Sequence, residues 1–212
     1  MSPNNEHESE SGADGRPDDA QTDDTKGDLA ADNGGIDPSF TVRVPDGDTL
    51  KRDVCDHCGF INYVNPKIVV GSVVDVGGKI LMCRRAIEPR LGFWTLPAGY
   101  MERGETTIEA AMREAYEEAH AEIRIKDLLA VYNIPRISQV QLMYRAELIG
   151  GSYGVGEESL EVTPFDWADI PWTELAFPSV YWALTHYKSV MGEAGIIPFG
   201  NPEGETGDAR PW

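Results

Sequence analysis

Residues 99–121 read GYMERGETTIEAAMREAYEEAHA. The pattern predicts a helix from Thr106 to His120. Thr106, followed three residues on by Glu109, forms a capping box in which each side chain satisfies the other's orphan backbone donor. Ile108, Met112, Ala115 and Ala119 recur at helical spacing and predict the buried face. The alanines on or near that face allow close approach to a sheet. Glu114, Glu117 and Glu118 stand at i, i+3 and i+4, which gathers three carboxylates in a sector of about 100°. Like charges at i, i+4 destabilise a helix by roughly a few tenths of a kcal/mol per pair. The cluster therefore points to a ligand that removes the repulsion. Hard carboxylate oxygens suit Mg²⁺, which takes one or two carboxylates together with substrate phosphates. Arg113 can pair with Glu117 one turn on. Gly99 and Gly104 let the preceding loop turn tightly and bring bare backbone to a ligand, and Glu105 enters beside the helix start.

Outward from this stretch the chain alternates strands and turns. Lys67–Val76 is rich in β-branched residues and reads as a strand. Gly77-Gly78 is a two-residue hairpin signal, and Lys79–Arg85 is the returning strand. Phe93–Ala98 reads as a short strand interrupted by Pro97. Glu122–Tyr132 and Val140–Leu148 are two more strands parted by Pro135, and Leu160–Trp167 is another. Pro178–Met191 reads as a second helix, with Pro178 near its start and Tyr181, Leu184 and Lys188 along one side. These elements predict an α+β domain in the form of an α/β/α sandwich: a mixed sheet with one central helix and one C-terminal helix.

Composition bounds the partners. Of 212 residues, 41% are hydrophobic, enough for a core, while 36 acids against 18 bases give a net charge of −18. Phosphate binding needs Lys and Arg, so neither nucleic acid nor an anionic membrane is the expected partner. Residues 1–38 carry eleven acids against Arg16 and Lys26, a net −9 with almost no aliphatic side chains. Such a segment cannot bury enough area to offset its ordering entropy and reads as a disordered acidic tail. Residues 192–212 mix Gly, Pro and acids and read as a loosely held extension. Three cysteines exclude a disulfide scaffold, no apolar run reaches the roughly 20 residues that span a bilayer, and no segment resembles a signal peptide. The expected compartment is the cytoplasm.

The spacing Gly99, five residues, Glu105, seven residues, Arg113-Glu114-Ala115, one residue, Glu117-Glu118 is identified as the signature of the Nudix hydrolases. His120 departs from it, because the family pattern has Gly there, and Ala121 replaces a bulky aliphatic. Histidine tolerates positive φ better than most residues, so a small stability cost and intact chemistry are expected. Further segments (Asn65-Pro66-Lys67, Phe93–Gly99, Ile134-Pro135, Glu158–Glu161 and Ala176–Ser179) make residues 45–190 similar to the subgroup of plant chloroplast enzymes that split FAD and ADP-ribose, and to its bacterial relatives. The resemblance implies a Nudix fold over 66–191. It also implies metal-dependent hydrolysis of a nucleoside diphosphate linked to another moiety, FAD (to FMN and AMP) or ADP-ribose before others. Family relatives that split NADH are the alternative, and a Nudix module that senses nucleotides without cleaving them is the alternative of another class.

By carry-over, Glu114, Glu117 and Glu118 hold Mg²⁺ or Mn²⁺, with Glu105 and the backbone of Gly99 (or Ala98) as supporting ligands and Arg113 as a brace. The general base is open among Glu117, Glu118, Glu158 and Glu161. Arg85, Arg84 and Arg136 are candidates to meet the pyrophosphate; strand alternation turns one of the two adjacent arginines inward. Trp94, Tyr132, Phe93 and Tyr144 are candidates to stack on a flavin or adenine ring. Relatives are often dimers, so a homodimer is admitted. In residues 39–65, Cys55 and Cys58 form one knuckle of a zinc ribbon. A structural zinc needs four ligands, and Phe40–Arg52 supplies no second Cys or His pair. A relic knuckle without zinc is therefore the simpler expectation than two chains sharing one ion.

Overall fold

The computed structural model describes residues 39–208. The segment read as an acidic tail lies outside them, as do the last four residues of the chain. The chain divides into two compact units between Asn62 and Tyr63, slightly ahead of the boundary expected.

In the first unit, β1 (Phe40–Arg43), β2 (Arg52–Cys55) and β3 (Ile61–Asn62) form an antiparallel sheet in that order. Two carboxylates tie its turns. Asp48 accepts from the amides of Thr49 and Leu50 and from Arg52 Nε at 2.9 Å. Asp56 Oδ2 accepts from the hydroxyls of Ser39 and Thr41, both at 2.9 Å. The Ser39 bond, then that of Thr41, holds the Asp56 carboxyl below the usual carboxylate range.

The second unit is built on one mixed sheet. Its strands are β4 (Lys67–Val76), β5 (Lys79–Arg85), β6 (Trp94–Thr95), β7 (Ala98–Tyr100), β8 (Ile123–Ile134), β9 (Gln139–Leu148) and β10 (Ser159–Phe165). The order is β10-β5-β4-β9-β8, with β6 on β5 and β7 on β4. Only the central pair β4 and β9 is parallel among these ladders. Gly77 and Gly78 both take positive φ (62° and 91°), which the tight β4–β5 hairpin requires. The expected strand over Phe93–Ala98 is instead two short ones. Pro97 cannot donate to a ladder, and across it the chain moves from β5 to β4, where Ala98 faces Gly71. A Cβ on Gly71 would lie 2.5 Å from that of Ala98.

Alternation along the central strands sorts the core into two layers. Val73, Ile80 and Met82 pack with Trp182, Ala183, Leu184 and Tyr187 of helix α2 (Pro178–Ser189). Val74, Leu81 and Cys83 pack with Ala115 and Ala119 of helix α1 (Thr107–Ala119). Neighbouring residues on one strand thus serve opposite faces, and the expected α/β/α sandwich follows. The Thr106–Glu109 capping box is present as read.

Two faces differ from expectation. On α1 the buried residues are Ala110, Ala111, Glu114, Ala115, Glu118 and Ala119, whereas Ile108 and Met112 are 46% and 42% exposed. Alanines let the helix lie close on the sheet, and that rotation brings two glutamates inward in place of the larger apolar side chains. On α2 the side through Tyr181, Leu184 and Lys188 is only partly buried: Leu184 is buried with Val180, Ala183 and Tyr187, Tyr181 is half-buried, and Lys188 is exposed over the Trp167 ring.

The extension read as loosely held is also docked as far as Asp208. Phe199 bridges to Ala130 on β8 and exchanges backbone bonds with Leu129 and Val131 at 2.9 Å. Its ring stacks on His186 at 4.2 Å, and Asn201 pairs with the backbone of Asn133 through two bonds of 2.8 Å. Edge-strand pairing and aromatic burial anchor a segment whose composition reads as loop.

His186 Nδ1 shares a 2.8 Å hydrogen bond with the hydroxyl of Tyr132, which is fully buried. Burial lowers the imidazole's pKa below its ordinary value. The unfolded chain therefore binds this proton first, and the resulting stability is present above the ordinary histidine pKa and lost as pH falls below it. Thermal denaturation between pH 7 and 5 is expected to fall more steeply for the wild type than for His186→Phe; equal slopes contradict this role.

Candidate active site

The charge cluster of α1 is organised by one guanidinium. Arg113 Nε and Nη2 reach Glu105 at 3.0 and 2.9 Å, and Nη1 reaches Glu114 at 2.9 Å and Glu117 at 2.8 Å. Nη2 also donates to the Tyr100 carbonyl at 2.9 Å, tying the helix to the strand β7 before it. The Arg113 contact, ahead of the Glu102 amide, lowers the pKa of Glu105 below the carboxylate range. Glu118 stands apart from this fan. Its Oε2 accepts the Ala98 amide at 3.2 Å, and burial, chiefly, raises its pKa to about 8. Burial raises that of Glu114 too, and Glu117 and Glu158 add to it.

Gly99 lets the backbone lie against Glu114: a Cβ there would stand 2.3–2.4 Å from the Glu114 carboxyl group. Gly156 does the same at the other end of the helix, where a Cβ would fall 1.8 Å from the Glu117 carbonyl oxygen. The loop between β9 and β10 wraps the C-terminus of α1. Gly154 and Gly156 amides cap the Ala119 and Glu118 carbonyls at 2.7 and 3.1 Å, and Ser159 Oγ adds 2.8 Å to Glu118. His120 takes the left-handed conformation (φ 44°) and its N–H closes the helix on Tyr116.

These elements enclose an open cleft of about 740 Å³, lined by Glu114, Glu117, Glu118, Arg113, Arg85, Gly99, Tyr116, His120, Glu157 and Glu158 among others. The structure thus brings the helix carboxylates, Gly99 and Arg85 together as read. Arg85 is braced by the Pro89 carbonyl at 2.9 Å and lies over the Phe177 ring. Arg84 points the other way, to the Gly92 carbonyl and, at 3.8 Å, to Glu161. Glu161 is therefore outside the cleft, and Glu157 and Glu158 are the acidic residues that the later loop delivers.

Three aromatic candidates are misplaced. Trp94 is buried edge-on against Phe165, Tyr132 is sealed under α2, and the Tyr144 hydroxyl pairs with Thr107 beneath α1. Aromatics whose strand position faces a packed helix or sheet layer supply core volume first. Arg136 pairs with Asp208 at 2.9 Å, away from the cleft. Two residues outside the candidate set, Tyr116 and His120, also line the cleft; Tyr116 continues the Ile108–Met112 row at helical spacing and so reads as buried, and His120 stands out in the sequence only as a departure from the family's Gly.

As the side chains stand, no three acidic, His or Cys groups among the described residues converge on one point, because Arg113 draws Glu114 and Glu117 to itself. The donor set nonetheless suits a hard dication. Two buried carboxylates, both raised in pKa and both facing further acids, lose their repulsion when a divalent charge joins them.

A NUDIX domain model matches residues 65–170, and a zinc-ribbon model described as Nudix N-terminal matches residues 38–64. The chain belongs to the Nudix family. A crystal structure of a NUDIX hydrolase from Nitrosomonas europaea superposes on this Nudix chain with a TM-score of 0.74 at 40% identity, covering 79% of this chain and 97% of that one. An ADP-ribose pyrophosphatase of Methanocaldococcus jannaschii is 34% identical over 54% of this chain and 69% of its own length. An NAD-capped RNA hydrolase, NudC, of Pseudomonas aeruginosa is 28% identical over 50% of this chain but spans only 38% of that protein. The chain is a Nudix hydrolase. Within the segment matched by the zinc-ribbon model, Cys55 and Cys58 flank Asp56, which accepts from the hydroxyls of Ser39, just ahead of β1, and Thr41 on β1.

A methyl group at position 99 must displace the Glu114 carboxylate. Gly99→Ala is expected to fold normally by circular dichroism and to lose about 100-fold in kcat, the scale of a displacement near 1 Å. Wild-type turnover in that variant would show that the Glu114 position is not used.

Proposed function

We propose that this Nudix hydrolase cleaves the pyrophosphate bond of ADP-ribose, and of FAD as a second substrate. The observation that carries the reading is the gathering of Glu114, Glu117 and Glu118 on one wall of the cleft, the first two braced by Arg113 and the third by the Ala98 amide. ADP-ribose is supported by the name of the archaeal relative. FAD is supported by the likeness of Phe93–Gly99, Glu158–Glu161 and Ala176–Ser179 to the plant chloroplast subgroup. Free cysteines suit a reducing cytoplasm.

Glu114, Glu117 and Glu118 would hold Mg²⁺ or Mn²⁺, with Glu105 behind them and the Gly99 backbone beside them. When bound, the cation supplies charge that stabilises the phosphate oxygens and lowers the pKa of a water. The chain's own groups do the rest. Arg113 keeps Glu105, Glu114 and Glu117 in register. Arg85 offers the cleft a cation for the pyrophosphate. A carboxylate oxygen of Glu117 or Glu158 takes the proton of the attacking water. Water adds at one phosphorus and the bridging P–O bond breaks, giving AMP with ribose 5-phosphate, or AMP with FMN.

A second reading, cleavage of NADH, is favoured by the NudC relative and by the N-terminal match. Incubation with Mg²⁺ and ADP-ribose, FAD, NADH or nucleoside triphosphates, followed by product separation, distinguishes the two. AMP with ribose 5-phosphate is expected. NADH cleavage alone transfers the assignment, and binding without any cleavage makes the chain a sensor. Glu117→Gln is expected to lower kcat by about 10²–10⁴-fold, as measured by AMP release; an unchanged rate would remove that residue from the chemistry.

A further inference from the structure

We propose that Tyr116 and His120 form a platform on which a planar heteroaromatic ring of the substrate stacks, so that this wall of the cleft holds the nucleotide by the face of its ring. The inference rests on the pyrophosphatase reading and adds a binding subsite to it.

His120 stands where the family pattern has Gly, and it holds a left-handed backbone (φ 44°, ψ 32°). Side chains with a Cβ adopt that conformation at a cost that glycine avoids. Strain of this kind persists where the surroundings over-determine it, and it clusters at ligand sites. Here the surroundings do so. The amides of Gly154 and Gly156 cap the last two carbonyls of the helix, those of Ala119 and Glu118. A Cβ on Gly154 would come within 3.3 Å of His120 Cδ2, so the loop lies directly against the imidazole and fixes its plane.

One turn back, Tyr116 meets that ring edge-on, with centroids 5.8 Å apart and planes at 63°. Neither ring belongs to the core: Tyr116 is 55% exposed, and both line the cleft that contains Glu114, Glu117 and Glu118. Ile87 adds an apolar side chain to the same cleft. Tyr116 precedes Glu117 in sequence, so the platform begins one residue from the carboxylates. A nucleotide whose phosphates lie over those glutamates has its ring within reach of the pair. The aromatic residues buried in the sheet, Trp94, Tyr132 and Tyr144, offer no competing surface, and Tyr100 on β7 is the further aromatic side chain that lines this cleft. Stacking on such rings is tolerant of which base is bound.

Steady-state kinetics with ADP-ribose, FAD and NADH test the platform, alongside thermal melting of each variant. Tyr116→Ala is expected to raise KM by about 5–100-fold, the range for loss of one base–aromatic stack, with the smaller change in kcat. Tyr116→Phe, which keeps the ring, recovers most of the lost affinity. His120→Gly is the discriminating variant, because it removes the ring and the strain together. Its melting temperature is expected to equal or exceed that of the wild type while KM rises. A rise for all three substrates assigns the ring to adenine, and a rise for FAD and NADH alone assigns it to the other moiety; both support the platform. Unchanged KM in Tyr116→Ala and His120→Gly overturns it. A lowered melting temperature of His120→Gly with unchanged KM makes the imidazole a packing group and also overturns it. Absence of cleavage by the wild type defeats the pyrophosphatase reading, and the platform with it.

Discussion

A single guanidinium sets the geometry on which the site depends. Arg113 meets three carboxylates and one backbone carbonyl, and it does so from the middle of α1 while the groups it holds come from the helix, the loop before it and β7. Without that positive charge, Glu105, Glu114 and Glu117 would repel one another across a small volume. The guanidinium's planar fork suits this task where a lysine's point charge would not. Glu118 lies outside the fan, and burial raises its pKa against the one backbone amide, that of Ala98, which lowers it.

Placing carboxylates against a sheet demands room for the helix to approach. The α1 face supplies it with Ala110, Ala111, Ala115 and Ala119, all fully buried, and the sheet side supplies it with Gly99. Larger side chains would fill the core better but would hold the helix away and leave Glu114 and Glu118 in solvent. The apolar bulk is on the other face of the sheet, where Trp182, Leu184, Tyr132 and Met82 pack together. One layer is built for stability and the other for approach. The loop after β9 completes the approach layer: its glycines let the chain touch the helix end, and the same loop delivers Glu157 and Glu158 to the cleft.

Much of this was legible in the residues. The capping box marked the start of α1, the Gly-Gly pair marked the hairpin, and the spacing of Gly99, Glu105, Arg113, Glu114, Glu117 and Glu118 marked the site and the family. Each signal is local, confined to one turn or one helix, and neighbours along the chain determine it. The errors share the opposite character. Trp94 and Tyr132 looked like ring-binding residues because aromatics do bind rings, yet strand direction and layer order bury them. Glu161 and Arg84 looked as suitable as Glu158 and Arg85, and only the register of β10 on β5 separates them, pairing Glu161 with Arg84 and Ser159 with Arg85. The extension after Gly192 reads as loop, and its docking rests on contacts with β8 and α2 that lie far away in sequence.

The sequence by itself therefore determined the helix, its caps, its carboxylates and the chemistry they imply, because backbone hydrogen bonding and charge spacing act within a few residues. The tertiary structure decided the rotation of that helix on the sheet, the arginine that faces the cleft, and the aromatic pair that lines it. Those outcomes depend on close packing between segments distant in the chain, where a single methyl group at Gly71, Gly99 or Gly156 would not fit.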